Sequence, residues 1–173
     1  MVMRKRVVVT GMGVLTAMGN TVDEFREALF AAKSSIRPSE HFLHYFEHAM
    51  ASEVLQHVEY DGIAPERLPE LDRTVLWGYK VGRDALLQAG LLNHALLKQT
   101  SFVAGVSSAG AEATMPMIEN QPEKFSLRKL EVSGSFSSIC PVVTSLLGVQ
   151  GGFELVATAC TASTNAIGIG FDQ

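Results

Sequence analysis

Cys160 is the residue whose surroundings in the sequence are best suited to chemistry. It follows the mostly apolar segment 153–157, which predicts a buried strand, and it opens a run of small residues, 160–171, which predicts a helix. A thiol at a helix N-terminus meets unpaired backbone amides and the positive end of the helix dipole. Both favour the thiolate, which is the nucleophilic form, and the amides can hold the oxyanion of a thioester adduct. Cys160 is therefore a candidate nucleophile.

The alternative is an inert, buried cysteine, which is the commoner fate of a lone cysteine. The small neighbours Ala159, Ala162 and Ser163 leave room for a long, thin substrate, but spacing alone favours the inert cysteine and leaves both interpretations open. Cys140 provides the comparison, because it follows Ile139 on an apolar helix face with no strand-to-helix turn before it. We predict that Cys140 belongs to the core. Two cysteines in a chain of 173 residues do not indicate a disulfide framework.

Two weaker patterns suggest a cofactor and a metal. Gly11-x-Gly13 follows an apolar segment, but a dinucleotide fingerprint needs glycine or alanine where Thr16 stands, so a flexible loop is the better interpretation. His44 and His48 are spaced for one helix face, yet no acidic zinc motif accompanies them, which favours a surface helix. We therefore predict neither a cofactor nor a metal.

Composition excludes several classes of function. The formal net charge is −4 and the longest basic run is residues 4–6, which we interpret as a solvated edge, so nucleic-acid binding is not expected. No apolar stretch approaches the length of a membrane span, and the short apolar run 7–10 is not a signal peptide. We expect a soluble protein in a reducing, cytoplasmic compartment. The hydrophobic share of 47% suits a chain with a packed core or a partner subunit.

The elements that must position Cys160 alternate between strand and helix patterns, which predicts an α/β layered fold. Helix signals include a capping box at Thr21 and Glu24, an apolar face at four positions after it, a cap at Asp72 and a proline, Pro141, placed in a first turn. Residues 38–70 predict a long excursion with short pieces, and 121–135 a polar connection. The predicted strands are 6–10, 101–106 and 153–157. The predicted helices are one from Thr21 and those at 71–90, 111–120, 137–147 and 160–171. The helix from Thr21 has a predicted apolar face of Val22, Phe25, Leu29 and Ala32.

Five segments in order resemble the β-ketoacyl-acyl carrier protein synthases. The opening RKRVVVTGMGVLTAMGN (4–20) resembles the start of that family, and FREAL (25–29) followed by Lys33 and Ser34 continues it. The remaining three segments are the long helix from Asp72 and Arg73 to the A-G-L sequence at 89–91, the strand end 103–110, and ELVATACTAS (154–163), which resembles the nucleophile strand and turn.

The resemblance implies a thiolase-like fold with layers α-β-α-β-α in the full family, built from two similar halves. Residues 1–173 are expected to be the N-terminal β-ketoacyl synthase domain without its C-terminal half. The implied reaction is a decarboxylative Claisen condensation in fatty-acid or polyketide-type synthesis, with Cys160 accepting the acyl chain. The implied partners are acyl carrier protein with its acyl and malonyl thioesters, and a second copy or a related synthase subunit, paired near the strand 153–158.

The family also needs two histidines, and usually a lysine, for decarboxylation, and these are expected in the second half. Four of the five histidines lie at positions 41–57, and His94 matches no catalytic motif. We therefore expect a chain that accepts an acyl group without condensing it. The alternatives are a non-catalytic partner or scaffold subunit, which a retained Cys160 argues against, and a thiolase-fold relative with other thioester chemistry.

Overall fold

The computed structural model describes residues 6–43 and 45–173, leaving aside the side chain of residue 41. Within these ranges the α-helices are α1 (Val22–Phe30), α2 (Glu40–Leu43), α3 (Arg73–Gln88), α4 (Ala111–Ile118), α5 (Leu127–Ser133), α6 (Phe136–Leu147) and α7 (Ala162–Asp172). The strands are β1 (Arg37–Pro38), β2 (Met50–Ala51), β3 (Phe102–Gly105) and β4 (Phe153–Val156). Short 3-10 turns occupy Pro65–Glu70, Ala95–Lys98, Pro122–Lys124 and Ala159–Thr161.

The strands β3 and β4 form a parallel pair in which Phe102 lies opposite Phe153 and Gly105 lies opposite Val156. Side chains alternate between the faces of a strand. Phe102 packs against the core built by α3 and α6, whereas Gly105 lies against the first turn of α7. Helices therefore cover both faces of the pair, α3 and α6 on one and α7 on the other. This arrangement confirms the predicted layered α/β class.

The hydrophobic core lies between α3 and α6. Val75 on α3 and Val143 on α6 are completely buried, with 0% of each residue exposed. Apolar positions repeat at helical spacing on both helices, so each presents one continuous face to the other. The buried cluster consists of Ile63, Leu71, Val75, Tyr79, Ile139, Val143 and Leu147.

Residues 6–10 do not form the predicted strand. They have no regular secondary structure, and Val7, Val8 and Val9 are 52%, 70% and 81% exposed. A strand exists only where its backbone groups pair with a neighbour, and the described residues supply no such partner to this segment. The β-branched composition predicted that the segment would suit a sheet, and composition says nothing about whether a partner is present.

The glycines at positions 11 and 13 let the chain lie directly on α3. A Cβ atom on Gly11 would stand 2.1 Å from the carbonyl oxygen of Ala85, and one on Gly13 would stand 2.0 Å from that of Val81. Two residues of extended chain span about 6.6 Å and four helical residues about 6.0 Å, so the two spacings match. Close packing on a helix therefore explains this glycine pair. Neither glycine has a positive φ, so the unusual backbone angles that the loop interpretation expected are not the reason for them.

The N-terminus of α1 confirms one half of the predicted capping box. The backbone amide of Glu24 donates to the Thr21 hydroxyl at 3.2 Å. The Glu24 carboxylate instead accepts from the backbone amide of Asn20 at 2.8 Å, one residue before the cap. Both bonds satisfy backbone donors that would otherwise be unpaired at the start of the chain's first helix.

The apolar face of α1 was predicted one position out of phase. Val22 and Phe25 are half-buried as expected, but the buried residue of the helix is Ala28. Leu29 is 57% exposed and Ala32 is also exposed, which contradicts the prediction for both. Spacings of three and of four residues both fit a helical period, so the sequence did not distinguish the two faces.

The predicted connection 121–135 and the start of α6 each differ from prediction. The predicted polar connection 121–135 contains the helix α5, which Ser126 caps by accepting from the backbone amide of Lys129 at 3.2 Å. The next helix starts at Phe136, behind a capping box made by Ser135 and Ser138, so Pro141 is its sixth residue and not part of its first turn. Pro141 therefore leaves one carbonyl of the preceding turn without its helical donor.

The long excursion 38–70 forms short helical and strand pieces, as predicted. No group of three or more histidine, cysteine or acidic side chains suitable for a metal occurs in the part of the chain that the structure describes. His44, Arg4 and Lys5, which belong to the histidine pair and to the basic run, lie outside the described residues. Among the described helices none alone is long and apolar enough to cross a membrane; α5 and α6 pass that test only together, across a bend of 80°.

Candidate active site

Cys160 lies in a 3-10 turn between β4 and α7, on the surface of the domain. The turn covers Ala159–Thr161, and the α-helix begins at Ala162, two residues later than predicted. The cysteine is exposed, so it does not belong to the core of the described residues. The strand before it is less buried than predicted, because Phe153 is 51% exposed and the other edge of β4 has no partner among the described strands.

The residue before the cysteine holds an unusual backbone conformation. Ala159 has a φ of 49°, in the left-handed region that non-glycine residues rarely enter. Such a conformation costs about 1–2 kcal/mol for a residue with a Cβ atom. Ala159 lies in the turn between the strand and the helix, directly before Cys160. Sequence analysis identified the turn but gave no signal for this strain, because alanine is not a residue that marks left-handed positions.

Three polar side chains bridge the turn that carries Cys160. The Thr161 hydroxyl donates to the backbone carbonyl of Thr158 at 2.8 Å. The Asn165 amide donates to the Thr158 hydroxyl at 2.9 Å and stands 3.5 Å from the Thr161 hydroxyl. These bonds join Thr158, two residues after β4, to the turn and to Asn165 in α7. We name Thr158, Thr161 and Asn165 the polar clamp; the sequence signal that could have found it is the spacing of three and four residues between them.

The thiol of Cys160 accepts or donates no hydrogen bond among the described residues, and no histidine is paired with it there. His94, whose role the sequence left open, caps the 3-10 turn Ala95–Lys98 by accepting from the backbone amide of Leu96 at 3.1 Å. The chemistry that these residues offer is therefore nucleophilic attack by an accessible thiol, without a neighbouring base.

Cys140 belongs to the core, as predicted. Only 1% of the residue is exposed, and its thiol donates to the backbone carbonyl of Glu154 on β4 at 3.5 Å. Burial raises the pKa of the Cys140 thiol, because removing the thiolate from water is unfavourable. The two cysteines thus differ in accessibility, and Cys140 supports the strand that leads to Cys160.

Known proteins with similar sequences and folds are condensing enzymes. The chain is 27% identical over 180 residues to the granaticin polyketide β-ketoacyl synthase 1 of Streptomyces violaceoruber, covering 96% of this chain and 42% of that protein. It is 29% identical over 171 residues to the 3-oxoacyl-acyl-carrier-protein synthase 2 of Vibrio cholerae, covering 95% and 41%. The chain thus spans about two fifths of the length of these relatives.

Solved structures agree on the fold. The ishigamide ketosynthase/chain length factor superposes with a TM-score of 0.80 at 24% identity, over 98% of this chain and 44% of that chain. A β-ketoacyl synthase from Burkholderia phymatum superposes with a TM-score of 0.77 at 21% identity, over 97% and 43%. The fold is therefore that of the ketosynthases, which confirms the predicted thiolase-like class. The family described as the N-terminal domain of β-ketoacyl synthases matches residues 4–173, and the chain belongs to that family.

Proposed function

We propose that this domain takes an acyl group from a carrier thioester onto Cys160. The single observation that carries the proposal is an exposed cysteine in a strained strand-to-helix turn, in a chain of the β-ketoacyl synthase family. Covalent catalysis of this kind divides one difficult acyl transfer into two easier steps. The donor class is an acyl thioester, and the family points to acyl carrier protein as its carrier.

The first step, transfer of the acyl group from the carrier to Cys160, balances in atoms and electrons without a cofactor. The Cys160 thiolate attacks the thioester carbonyl, and a new carbon–sulfur bond forms to Sγ. The carbon–sulfur bond to the carrier breaks, and the carrier leaves as a thiolate that takes a proton from solvent. In the complete reaction a malonyl thioester loses carbon dioxide and its carbanion attacks the acyl-enzyme.

Incubation with a medium-chain acyl thioester tests the proposal. We expect the intact mass of the protein to rise by one acyl group, because Cys160 is the accessible nucleophile. The increase should map to the peptide that contains Cys160. Cys160→Ala should abolish it, whereas Cys140→Ala should retain it, since the buried thiol is not the acceptor. Acylation that persists in Cys160→Ala would contradict the proposal, and a wild-type chain that is not acylated would favour the non-catalytic subunit as the alternative function.

Condensation with a malonyl thioester is a separate step from the acylation of Cys160. We propose that residues 1–173 form the N-terminal domain of a synthase and that the C-terminal half of the synthase supplies the decarboxylation histidines and lysine. The reason is that no described histidine is paired with Cys160. A malonyl thioester added to the acylated chain should then give no β-ketoacyl product. A pair of separated histidines in the remaining half favours decarboxylative condensation, and a second catalytic cysteine there favours thiolase chemistry instead.

We further propose that the domain pairs with a second copy, or with a related synthase subunit, along the free edge of β4. An unpaired strand edge is an acceptor for another strand, and Phe153 presents an apolar side chain beside it. We expect a dimer by light scattering at micromolar concentration. Phe153→Lys should shift the mass to that of a monomer, while Phe30→Lys, at a residue 83% exposed on α1, should leave the dimer intact. A monomeric wild-type chain would contradict this proposal.

A carrier-dependent synthase also needs the compartment that holds the carrier, and we expect the cytoplasm.

A further inference from the structure

Gly105, the last residue of β3, makes an unusually close backbone contact with α7. A Cβ atom on Gly105 would stand 2.4 Å from the carbonyl oxygen of Ala162, 2.5 Å from its carbonyl carbon and 2.6 Å from the amide nitrogen of Ser163. All three are backbone atoms, so no change of side-chain rotamer can relieve the overlap. Gly105 is not among the glycines with positive φ, so alanine could adopt its backbone conformation. What glycine supplies here is space.

The same residue fixes both ends of the turn that carries Cys160. On one side Gly105 is in register with Val156, the last residue of β4 before the turn. On the other side it contacts Ala162, the first residue of α7, which is 2% exposed. The turn 157–161 therefore begins and ends against one residue of β3. A displacement at Gly105 would change the distance between the two ends and move the thiol between them.

We infer that Gly105 is a positioning residue for Cys160, setting the place of the thiol through the spacing between β4 and the first turn of α7. The inference rests on the proposed function insofar as Cys160 is the nucleophile. Reactions of bound groups depend steeply on alignment, and a displacement of about 1 Å can lower a rate by about 100-fold. The polar clamp holds the exposed side of the turn, and Gly105 holds the side that faces the sheet.

The test compares Gly105→Ala with Gly168→Ala. Gly168 lies on α7, the helix that Gly105 contacts. A Cβ atom on Gly168 would meet nothing within 4 Å, so it is a matched control. Cys160 is alkylated with a trifluoromethyl reagent, and its fluorine resonance is recorded in wild type and in both variants. We expect Gly105→Ala to shift or broaden the resonance and Gly168→Ala to leave it unchanged.

Acylation of unlabelled protein by a medium-chain acyl thioester gives the second readout. In Gly105→Ala the maximal rate of Cys160 acylation should fall by about tenfold or more, with the half-saturating thioester concentration unchanged, because the nucleophile is displaced and the donor is not. Gly168→Ala should match wild type in both quantities. If wild type is not acylated, the proposed function fails, while the fluorine comparison still decides the positioning role.

A Gly105→Ala protein with the wild-type resonance and the wild-type maximal rate would overturn the inference. Circular dichroism establishes that each variant is folded, and a variant that unfolds in buffer is measured again in the stabilising osmolyte trimethylamine N-oxide. A Gly105→Ala chain that stays unfolded in both conditions would also contradict the inference, because the contact would then serve the whole fold and not the turn.

Discussion

Iodoacetamide should alkylate Cys160 at least about 100-fold faster than Cys140 in the folded protein. Cys160 is exposed, whereas Cys140 is 1% exposed and reacts only when α6 separates from the sheet. A local opening that costs about 3 kcal/mol lowers the rate by roughly 100-fold, since each 1.4 kcal/mol is a factor of about ten. Burial also raises the pKa of Cys140, which reduces its thiolate fraction at any pH below that value. Peptide mass mapping over time measures both rates.

Unfolding in urea provides the control for this prediction. Once the chain is unfolded, both thiols are solvated and their alkylation rates should become nearly equal. A ratio near unity in the folded protein would show that the accessibility of Cys160 gives it no advantage. Such a result would contradict the assignment of Cys160 as the nucleophile and leave the contrast between the two cysteines without chemical consequence.

Replacing Asp72 with alanine should destabilise the domain by about 3–5 kcal/mol, because one buried and one half-buried amide lose their acceptor. Asp72 is 1% exposed. Its carboxylate accepts from the backbone amide of Thr74 in α3 at 2.9 Å and from that of Ala113 in α4 at 3.1 Å. Its own amide donates to the hydroxyl of Ser133, the last residue of α5, at 2.6 Å. One aspartate thus joins three helices beside the core.

Urea unfolding followed by circular dichroism measures this effect. Asp23→Ala is the matched control, because the Asp23 side chain is 74% exposed and forms only a surface ion pair with Arg26 at 3.0 Å. The free energy of unfolding should change by less than about 1 kcal/mol in that control. The loss of unfolding free energy in Asp72→Asn should lie between those of Asp23→Ala and Asp72→Ala. The asparagine amide keeps one acceptor oxygen, but its NH2 group faces a backbone amide that is also a donor. A loss below about 1 kcal/mol for Asp72→Ala would show that the bonds to α3 and α4 contribute little.

Local chemistry in the sequence predicted the main helices well. Thr21 and Asp72 were identified as caps because their side chains satisfy amides two or three residues away, and the structure places both in that role. The apolar pattern of α6 likewise predicted that Cys140 is buried. Contacts between neighbours along the chain are encoded in residue type and spacing, so these features could be inferred without the fold.

Features that depend on partners distant in sequence could not be inferred. The segment 6–10 has the composition of a strand, but a strand also needs a neighbouring backbone, and the described residues place none beside it. The capping of α3 by Asp72 was predictable, yet its bond to Ala113 joins residues 41 positions apart. The helix α5 was missed because its seven residues present too few apolar positions to show a period.

Residue types and their order along the chain were enough to predict the family, the layered α/β class and Cys160 as the candidate nucleophile, and no folding step alters that order. The exposure of Cys160, the strain at Ala159 and the contact of Gly105 with both ends of the turn are evident only in the folded chain. Those properties arise from close packing between β3, β4 and α7, and packing distances of a few tenths of an ångström are not encoded in any local pattern.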